Sequence, residues 1–417
     1  MSKQFSDLSL HLTKKILSND VKKNNGIYFT PIDIIKLIIS IICDNYDNDK
    51  KIIKILEPSC GSCEFITYID TIFNNTEIIG IEYNDTIFKS IKDLKIKNNS
   101  LNIINDDFLR YDIENMNKYD LIIGNPPYYV ISDKQELNKY NKYYDGRANI
   151  FILFIIHSLK KLEVNGILAF VLPKNFLNCQ YYNKLRNHIY HNYKIINIID
   201  CSNYNYIETT QDTIIFIIKN TSIDITDNNK YSINDNDNDN DNDNNIFNSI
   251  DNIIKLKELY INSTTLHQMN FKVSVGTIVW NQHKHILTND NKKTRLIYSS
   301  DINNNNLINV KYKNEEKKNY IDKDGFNDLL LVVNRGYGKS KYKFNYCLIN
   351  IDEKYLIENH LICIKYKKII EKEELMKLYQ IIINSFNDER TTNFIKLYFG
   401  NNAINTIELE CHLPIYI

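Results

Sequence analysis

From Lys51 onward, apolar residues gather in short, nearly continuous runs separated by polar stretches. Residues 52–56, 77–82, 101–104, 121–123, 166–172, 195–199 and 213–218 are rich in Ile, Val, Leu and Phe, and each is brief enough for a strand. Their apolar character barely alternates, as expected of strands buried on both faces. Between them, residues 87–96 and 148–162 carry apolar side chains at helical spacing. Strand–helix alternation of this kind predicts an α/β fold, a mostly parallel, Rossmann-like sheet covered on both faces. In such sheets ligands bind outside the carboxyl ends of the strands. The candidate chemistry in this sequence falls at those ends.

After Lys219 the pattern dissolves. Residues 234–245 alternate Asn and Asp with no apolar side chain, so a solvated linker or insertion is expected over 221–246. Alternating Asp can suggest calcium, but the glycine and terminal Glu of an EF-hand loop are missing. Residues 247–417 then form a second, α+β region, with strand-like runs at 329–333 and 361–364 and a helical one at 373–384.

The first candidate site is Glu57-Pro58-Ser59-Cys60-Gly61-Ser62-Cys63, directly after the first strand and before a helix. Small residues let a ligand approach the backbone, and a helix start supplies free N–H groups. The same loop would also serve as an ordinary strand–helix turn. Glu82, ending the second strand about 20 residues after the glycine, suits the two hydroxyls of a ribose; its plainer reading is a surface cap for the next helix. Without a full Gly-x-Gly-x-x-Gly, NAD is a poor fit. Asp107-Phe108, after the third strand, offers a carboxylate for a purine edge and an aromatic face.

Asn125-Pro126-Pro127-Tyr128 follows the fourth strand. Two prolines fix φ and remove N–H donors, leaving the Asn125 side-chain oxygen and the Pro126 carbonyl as acceptors. The lone pair of an exocyclic amine is delocalised into its ring, so the amine is a weak nucleophile. Two acceptors holding its N–H bonds can aim that lone pair at an electrophile. Tyr128 adds a flat face, and no general base is needed if the proton leaves after methyl transfer. A Pro-Pro turn after a strand is commonplace, but an Asn before it and an aromatic after it are not.

These segments together resemble the γ-class N6-adenine DNA methyltransferases of the Taq type, found in restriction–modification systems. The motif order matches over the first 220 residues. Gly26-Ile27-Tyr28-Phe29-Thr30-Pro31 looks like the family's N-terminal AdoMet-contact motif, Ala148-Asn149-Ile150-Phe151 like its following helix, and residues 166–173 like its next strand. The resemblance implies S-adenosyl-L-methionine (AdoMet) as cofactor and a flipped adenine in double-stranded DNA as substrate. Thr30, Glu57 and the Ser59-Cys60-Gly61 backbone would line AdoMet, Glu82 would bind its ribose, and Asp107 and Phe108 would flank its adenine. Asn125, Pro126, Pro127 and Tyr128 would hold the target base, with Asn125 also facing the cofactor. Tyr206, or failing it Tyr204, would close the other face of that base. Residues 1–220 would be the catalytic domain and 247–417 the target-recognition domain, with Trp280, Arg335, Lys339 and Lys341 as candidate DNA contacts. One departure stands out: the family usually has glycine near the position of Cys63.

Composition alters this picture little. The formal net charge is zero, but residues 246–417 hold a surplus of five positive charges, balanced by five Asp in the 234–245 tract. That basic surplus suits a DNA-contacting domain. Of eight cysteines only Cys60 and Cys63 are closely spaced, and no second pair completes a zinc site. A redox Cys-x-x-Cys is the lesser reading, beside reduced thiols in a reducing compartment. No run reaches the roughly 20 apolar residues of a membrane span, and the N-terminus lacks a secretory signal. A soluble intracellular monomer is therefore expected, without a metal, and in the family's setting alongside a cognate restriction endonuclease.

Three rival readings share parts of the pattern. A protein-glutamine methyltransferase of the release-factor type uses the same Asn-Pro-Pro-Tyr, but such chains are shorter, with a helical domain before the sheet. An RNA guanine-N2 methyltransferase is a second enzyme reading. A non-catalytic DNA-binding subunit should have lost some of Glu57, Glu82, Asp107 or Asn125, and all four are present. Cytosine N4 would also suit the two acceptors.

Overall fold

The computed structural model of the chain describes residues 4–46, 52–111, 117–131, 138–204, 206–207, 211–222, 224–234, 245–335, 343–399 and 404–417. It divides into two compact units, Met1–Ile254 and Lys255–Ile417.

The first unit is built on a seven-stranded sheet: β1 Lys54–Glu57, β2 Glu77–Glu82, β3 Ser100–Asn105, β4 Tyr119–Gly124, β5 Leu162–Pro173, β6 Lys194–Asp200 and β7 Thr213–Lys219. Their order is β3-β2-β1-β4-β5-β7-β6. Pairing is parallel from β3 to β5, and β7 runs antiparallel between β5 and β6. All seven runs read from the sequence as strands are strands. The sheet is mixed rather than wholly parallel because β6 and β7 follow one another as an antiparallel pair.

The unbroken apolar character of these strands follows from their surroundings. Leu56, Ile122, Leu168, Phe170, Leu172, Ile214, Phe216 and Ile218 face one core, and Ile55, Leu121, Ile123, Ile167, Ala169, Val171, Ile215 and Ile217 face the other. Helices α4 (Ile150–Lys161) and α5 (Asn183–Asn192) pack on the first face; α1 (Ile32–Asn45), α2 (Glu64–Ile72) and α3 (Asp85–Ile91) pack on the second. Helix α3 is shorter than its apolar spacing suggests, since Leu94 turns back to bond the Ile91 carbonyl. The order of the strands reverses between the parallel β1 and β4, which open a crevice at their carboxyl ends.

The stretch 221–246 is not simply a linker in its described part. Asn228 is fully buried, donating to the Tyr190 and Tyr193 carbonyls and accepting from Ile195 N–H. Ser232–Asn234 and Asn245–Phe247 pair as an antiparallel hairpin, and Arg186 donates to the Asn245 carbonyl at 2.5 Å. Phe247 stacks on Phe216 in the core. Buried apolar and amide anchors at its ends bind this segment to the first unit, so the fold divides at Ile254 rather than near 220.

The second unit has two four-stranded sheets. One is antiparallel, ordered Phe271–Val275, Leu361–Tyr366, Leu330–Asn334, Tyr346–Ile349. The other combines Leu287–Thr288, Tyr320–Ile321, Thr294–Ile297 and Tyr355–Ile357. Helices Lys372–Asn387 and Glu389–Tyr398 follow. The predicted runs 329–333, 361–364 and 373–384 fall on two of these strands and the first helix. Among the described residues, no helix is long and apolar enough to cross a membrane.

Candidate active site

A cleft of about 260 Å³ opens at the carboxyl ends of β1, β2 and β4. It is lined by residues drawn from every N-terminal motif: Thr30; Glu57 to Ser62; Glu82; Asp107 and Phe108; Asn125 and Pro127. Segments separated by as many as 97 residues thus meet at one place.

Glu57 ends β1 and is buried. Its Oε2 has no hydrogen-bond partner among the described residues. Burial, reinforced by the Cys63 thiol and the neighbouring Glu64 and Glu82 carboxyls, pushes the Glu57 carboxyl well above its ordinary pKa. A buried acceptor without a donor is costly unless a ligand supplies one. Glu82 differs in having its donors. Gly61 N–H donates to its Oε2 at 2.9 Å and Asn84 N–H to its Oε1 at 2.7 Å. Burial still raises its pKa, against the pull of those two bonds. Each oxygen keeps lone-pair capacity, because a carboxylate offers about four acceptor sites.

The loop between them depends on backbone conformation. Gly61 has φ +51° and Cys63 φ +61°. Cys63 therefore occupies the left-handed region where the resembled family carries glycine, at a cost of roughly 1–2 kcal/mol. Its N–H closes a turn onto the Cys60 carbonyl at 2.7 Å, and the two side chains are buried. Both are free thiols, and their mutual hydrogen bond together with burial holds Cys60 well above the ordinary thiol pKa. Among the described residues, no three His, Cys, Asp or Glu side chains gather as metal ligands.

Beyond β3, Asp107 accepts from Leu109 N–H at 3.0 Å and remains partly exposed. Phe108 is only 1% exposed and packs on Phe154 at 5.0 Å, so it forms the cleft's floor rather than a projecting face. Sequence reasoning passed over Tyr129. Its backbone carbonyl accepts from Ile150 N–H, which fixes the chain after the Pro-Pro turn against the start of α4. Its side chain lines the cleft, and burial, helped by Asp107 and Tyr83, raises its hydroxyl pKa. Only its position after Tyr128 hinted at this. Phe29 and Glu64 are further lining residues the motifs did not single out.

At the end of β4, Asn125 is held from both sides. Its Nδ2 donates to the Tyr28 carbonyl at 2.9 Å, and its Oδ1 accepts from the Tyr128 hydroxyl at 2.5 Å. The expected open acceptor therefore already has a partner. Ser59 Oγ donates to the Asn125 backbone carbonyl at 3.2 Å. Tyr128 also lies 2.7 Å from the Val171 carbonyl on β5 and meets Phe151 edge-on. Burial lifts the Tyr128 hydroxyl well above its ordinary pKa, with Tyr206 and Cys201 adding to the effect. Tyr206 is thus brought near Tyr128, its hydroxyl accepting from Thr213 Oγ1 at 3.0 Å. Tyr204 is half-buried nearby in sequence and packs against the α1–α3 core. Gly26, at φ +60°, touches the same segment: a Cβ there would sit 2.5 Å from Tyr128 N.

The first unit's N-terminal motifs therefore converge on one cleft, and the chain has relatives among known proteins. Residues 1–207 match the Eco57I restriction-modification methylase family model. They are a restriction-modification methylase domain. Type II methyltransferase M.CvrRI of Paramecium bursaria Chlorella virus XZ-6E is 25% identical over 413 residues, covering 97% of both chains. Modification methylase CviBIII of Paramecium bursaria Chlorella virus NC1A is 31% identical over 174 residues, 42% of this chain and 44% of that one. Among solved structures, a class I S-adenosylmethionine-dependent methyltransferase from Listeria monocytogenes aligns with a TM-score of 0.42 at 18% identity, covering 52% of this chain and 66% of that one.

The methylase cofactor is AdoMet, and the cleft's own chemistry fits it. AdoMet carries a sulfonium and an ammonium, and the cleft presents the mutually repelling carboxyls Glu57, Glu64 and Glu82 with an unsatisfied acceptor among them. A cation there relieves both defects.

In the second unit, Trp280 packs partly into a small core with Ile278 and Leu296, and the Lys284 ammonium lies 5.8 Å from its ring centre. Arg335 is exposed at the end of its strand, its N–H donating to the His360 carbonyl. Lys339 and Lys341 lie outside the described residues.

Proposed function

We propose that this methylase transfers a methyl group from AdoMet to the N6 amino group of a specific adenine in double-stranded DNA. The observation that carries the reading is that Asn125 and Pro127 line the same cleft as Glu57 and Glu82. The substrate amine would thereby be held next to the cofactor's reactive end.

Bound AdoMet supplies an electrophilic methyl group. The chain's own residues then do four things. Glu57 accepts from the ammonium and Glu82 from the ribose hydroxyls, while Asp107 and Tyr129 stand by the purine. Asn125 Oδ1 and the Pro126 carbonyl accept the two N–H bonds of the target amine and orient its lone pair. Tyr128 and Tyr206 offer aromatic surface to a base taken out of the helix, offsetting part of an unstacking cost of a few kcal/mol. Residues 247–417, with their basic surplus, read the DNA sequence through Trp280, Arg335, Lys339 and Lys341. The likeness to M.CvrRI over 97% of both chains supports a type II methyltransferase, and the restriction-modification family match makes a cognate restriction endonuclease the proposed partner.

The test uses purified protein, labelled AdoMet and duplex DNA, followed by sequencing of DNA from a methylation-free host expressing it. Methyl groups should appear on adenine N6 in one sequence context. Asn125→Ala should abolish the reaction while AdoMet binding by calorimetry persists. Label entering cytosine, RNA or a release factor instead would overturn the assignment.

A further inference from the structure

The contacts of Tyr128 suggest how the free enzyme protects its amine-holding oxygen. Asn125 can present that oxygen in one sense only, because its Nδ2 is tied to the Tyr28 carbonyl at 2.9 Å. Gly26, whose backbone touches that of Tyr128, keeps these two segments in register. The Tyr128 hydroxyl lies 2.5 Å from Asn125 Oδ1 and 2.7 Å from the Val171 carbonyl. A phenol has one proton, so it serves one of these acceptors fully at a time.

We propose that Tyr128 is a positioning residue that works by hand-off: its hydroxyl occupies Asn125 Oδ1 in the free enzyme and passes to the Val171 carbonyl when a substrate N–H arrives. The ring need not move, since both acceptors are already within hydrogen-bond distance. Asn125 Oδ1 is thus never left without a donor in a partly buried site, where an unmet acceptor is costly. The arrangement also selects its occupant. A group with an N–H completes the exchange, whereas one presenting only acceptors leaves the hydroxyl in place and meets a competitor.

This inference rests on the adenine reading, and the experiment separates the two. Duplexes carrying 2-aminopurine beside the target adenine report base extrusion by fluorescence, using the full-length protein with AdoMet. Tyr128→Phe keeps the ring and removes the hydroxyl from the free and the bound state alike. Because the hand-off keeps one hydroxyl bond on each side, half-maximal emission should come at an enzyme concentration within about twofold of the wild type, short of the roughly three- to tenfold change that one ordinary hydrogen bond is worth. Tyr128→Ala, which also removes the aromatic face, should raise the midpoint. A midpoint shifted about three- to tenfold for Tyr128→Phe, with AdoMet binding intact, overturns the hand-off: lowered, the hydroxyl is displaced without a new acceptor; raised, it bonds only in the bound state. If Tyr128→Phe loses AdoMet binding, a crystal structure of the wild type with its duplex decides instead. A hydroxyl bonded to the Val171 carbonyl and released from Asn125 supports the proposal, and one still on Asn125 overturns it. A wild type that extrudes and methylates no adenine would overturn the functional reading itself.

Discussion

Glu57 is the residue whose chemistry most depends on a ligand. One oxygen of its buried carboxyl lacks a donor, and burial raises its pKa, so in the free protein it is held protonated above the usual carboxylate range. The sign of the consequence is definite. A carboxyl whose folded pKa lies above its unfolded value contributes stability that is complete below the unfolded pKa and is lost as pH rises through the folded one. The ligand-free protein should therefore lose melting temperature as pH rises from about 4.5, the ordinary value, and AdoMet should offset that loss by pairing the ionised form. Differential scanning fluorimetry across pH, with and without AdoMet, reads this directly. In Glu57→Gln the part of the pH slope due to this residue should vanish. That variant should also bind AdoMet roughly ten- to a hundredfold more weakly in calorimetry, the worth of one charged hydrogen bond at about 1.5–3 kcal/mol. Equal affinity would place the ammonium elsewhere.

At the scale of elements, the segment around Gly26 meets the turn after β4 at backbone distance. Gly26→Ala adds a Cβ 2.5 Å from Tyr128 N at a left-handed φ. Strain and overlap together should cost about 2–4 kcal/mol, seen in urea unfolding, and methylation should fall by more than the unfolded fraction explains. None of this contact was legible in the sequence, where Gly26 is one small residue in a motif. The strands were legible because burial on both faces leaves an unbroken apolar run that few other elements produce. The acids at their ends were legible too, since topology places carboxyl ends together. What stayed hidden were relations between side chains: the Tyr128 hydroxyl on Asn125 Oδ1, Tyr129 in the cleft, Phe108 buried against Phe154. Those depend on which way a side chain turns, and residue type alone does not say. The buried anchors of the 225–234 stretch were hidden by their polarity, since Asn228 is an amide doing the work of a core residue.

For the whole molecule, every residue lining the cofactor cleft lies in the first unit. A fragment of residues 1–254 should therefore bind AdoMet with an affinity within about twofold of the full chain, as distant independent sites do. It should nonetheless fail to methylate at a defined sequence, and its DNA affinity should depend less steeply on salt, because the basic surplus is gone. Calorimetry and sequencing of modified DNA check the two halves. The hairpin of Ser232–Asn234 with Asn245–Phe247 carries a consequence of another kind. Its two arms are pinned by paired backbone and by Phe247 in the core, while the sequence between them repeats a two-residue unit. Closing a longer loop costs only about 0.6 kcal/mol for each doubling. Copy number in that repeat is thus nearly invisible to selection on stability, and a coding tract of this kind is prone to slippage during replication. Natural lineages of this gene should differ in length here by even numbers of residues, and chains with two or four residues added should melt within a few degrees of the parent.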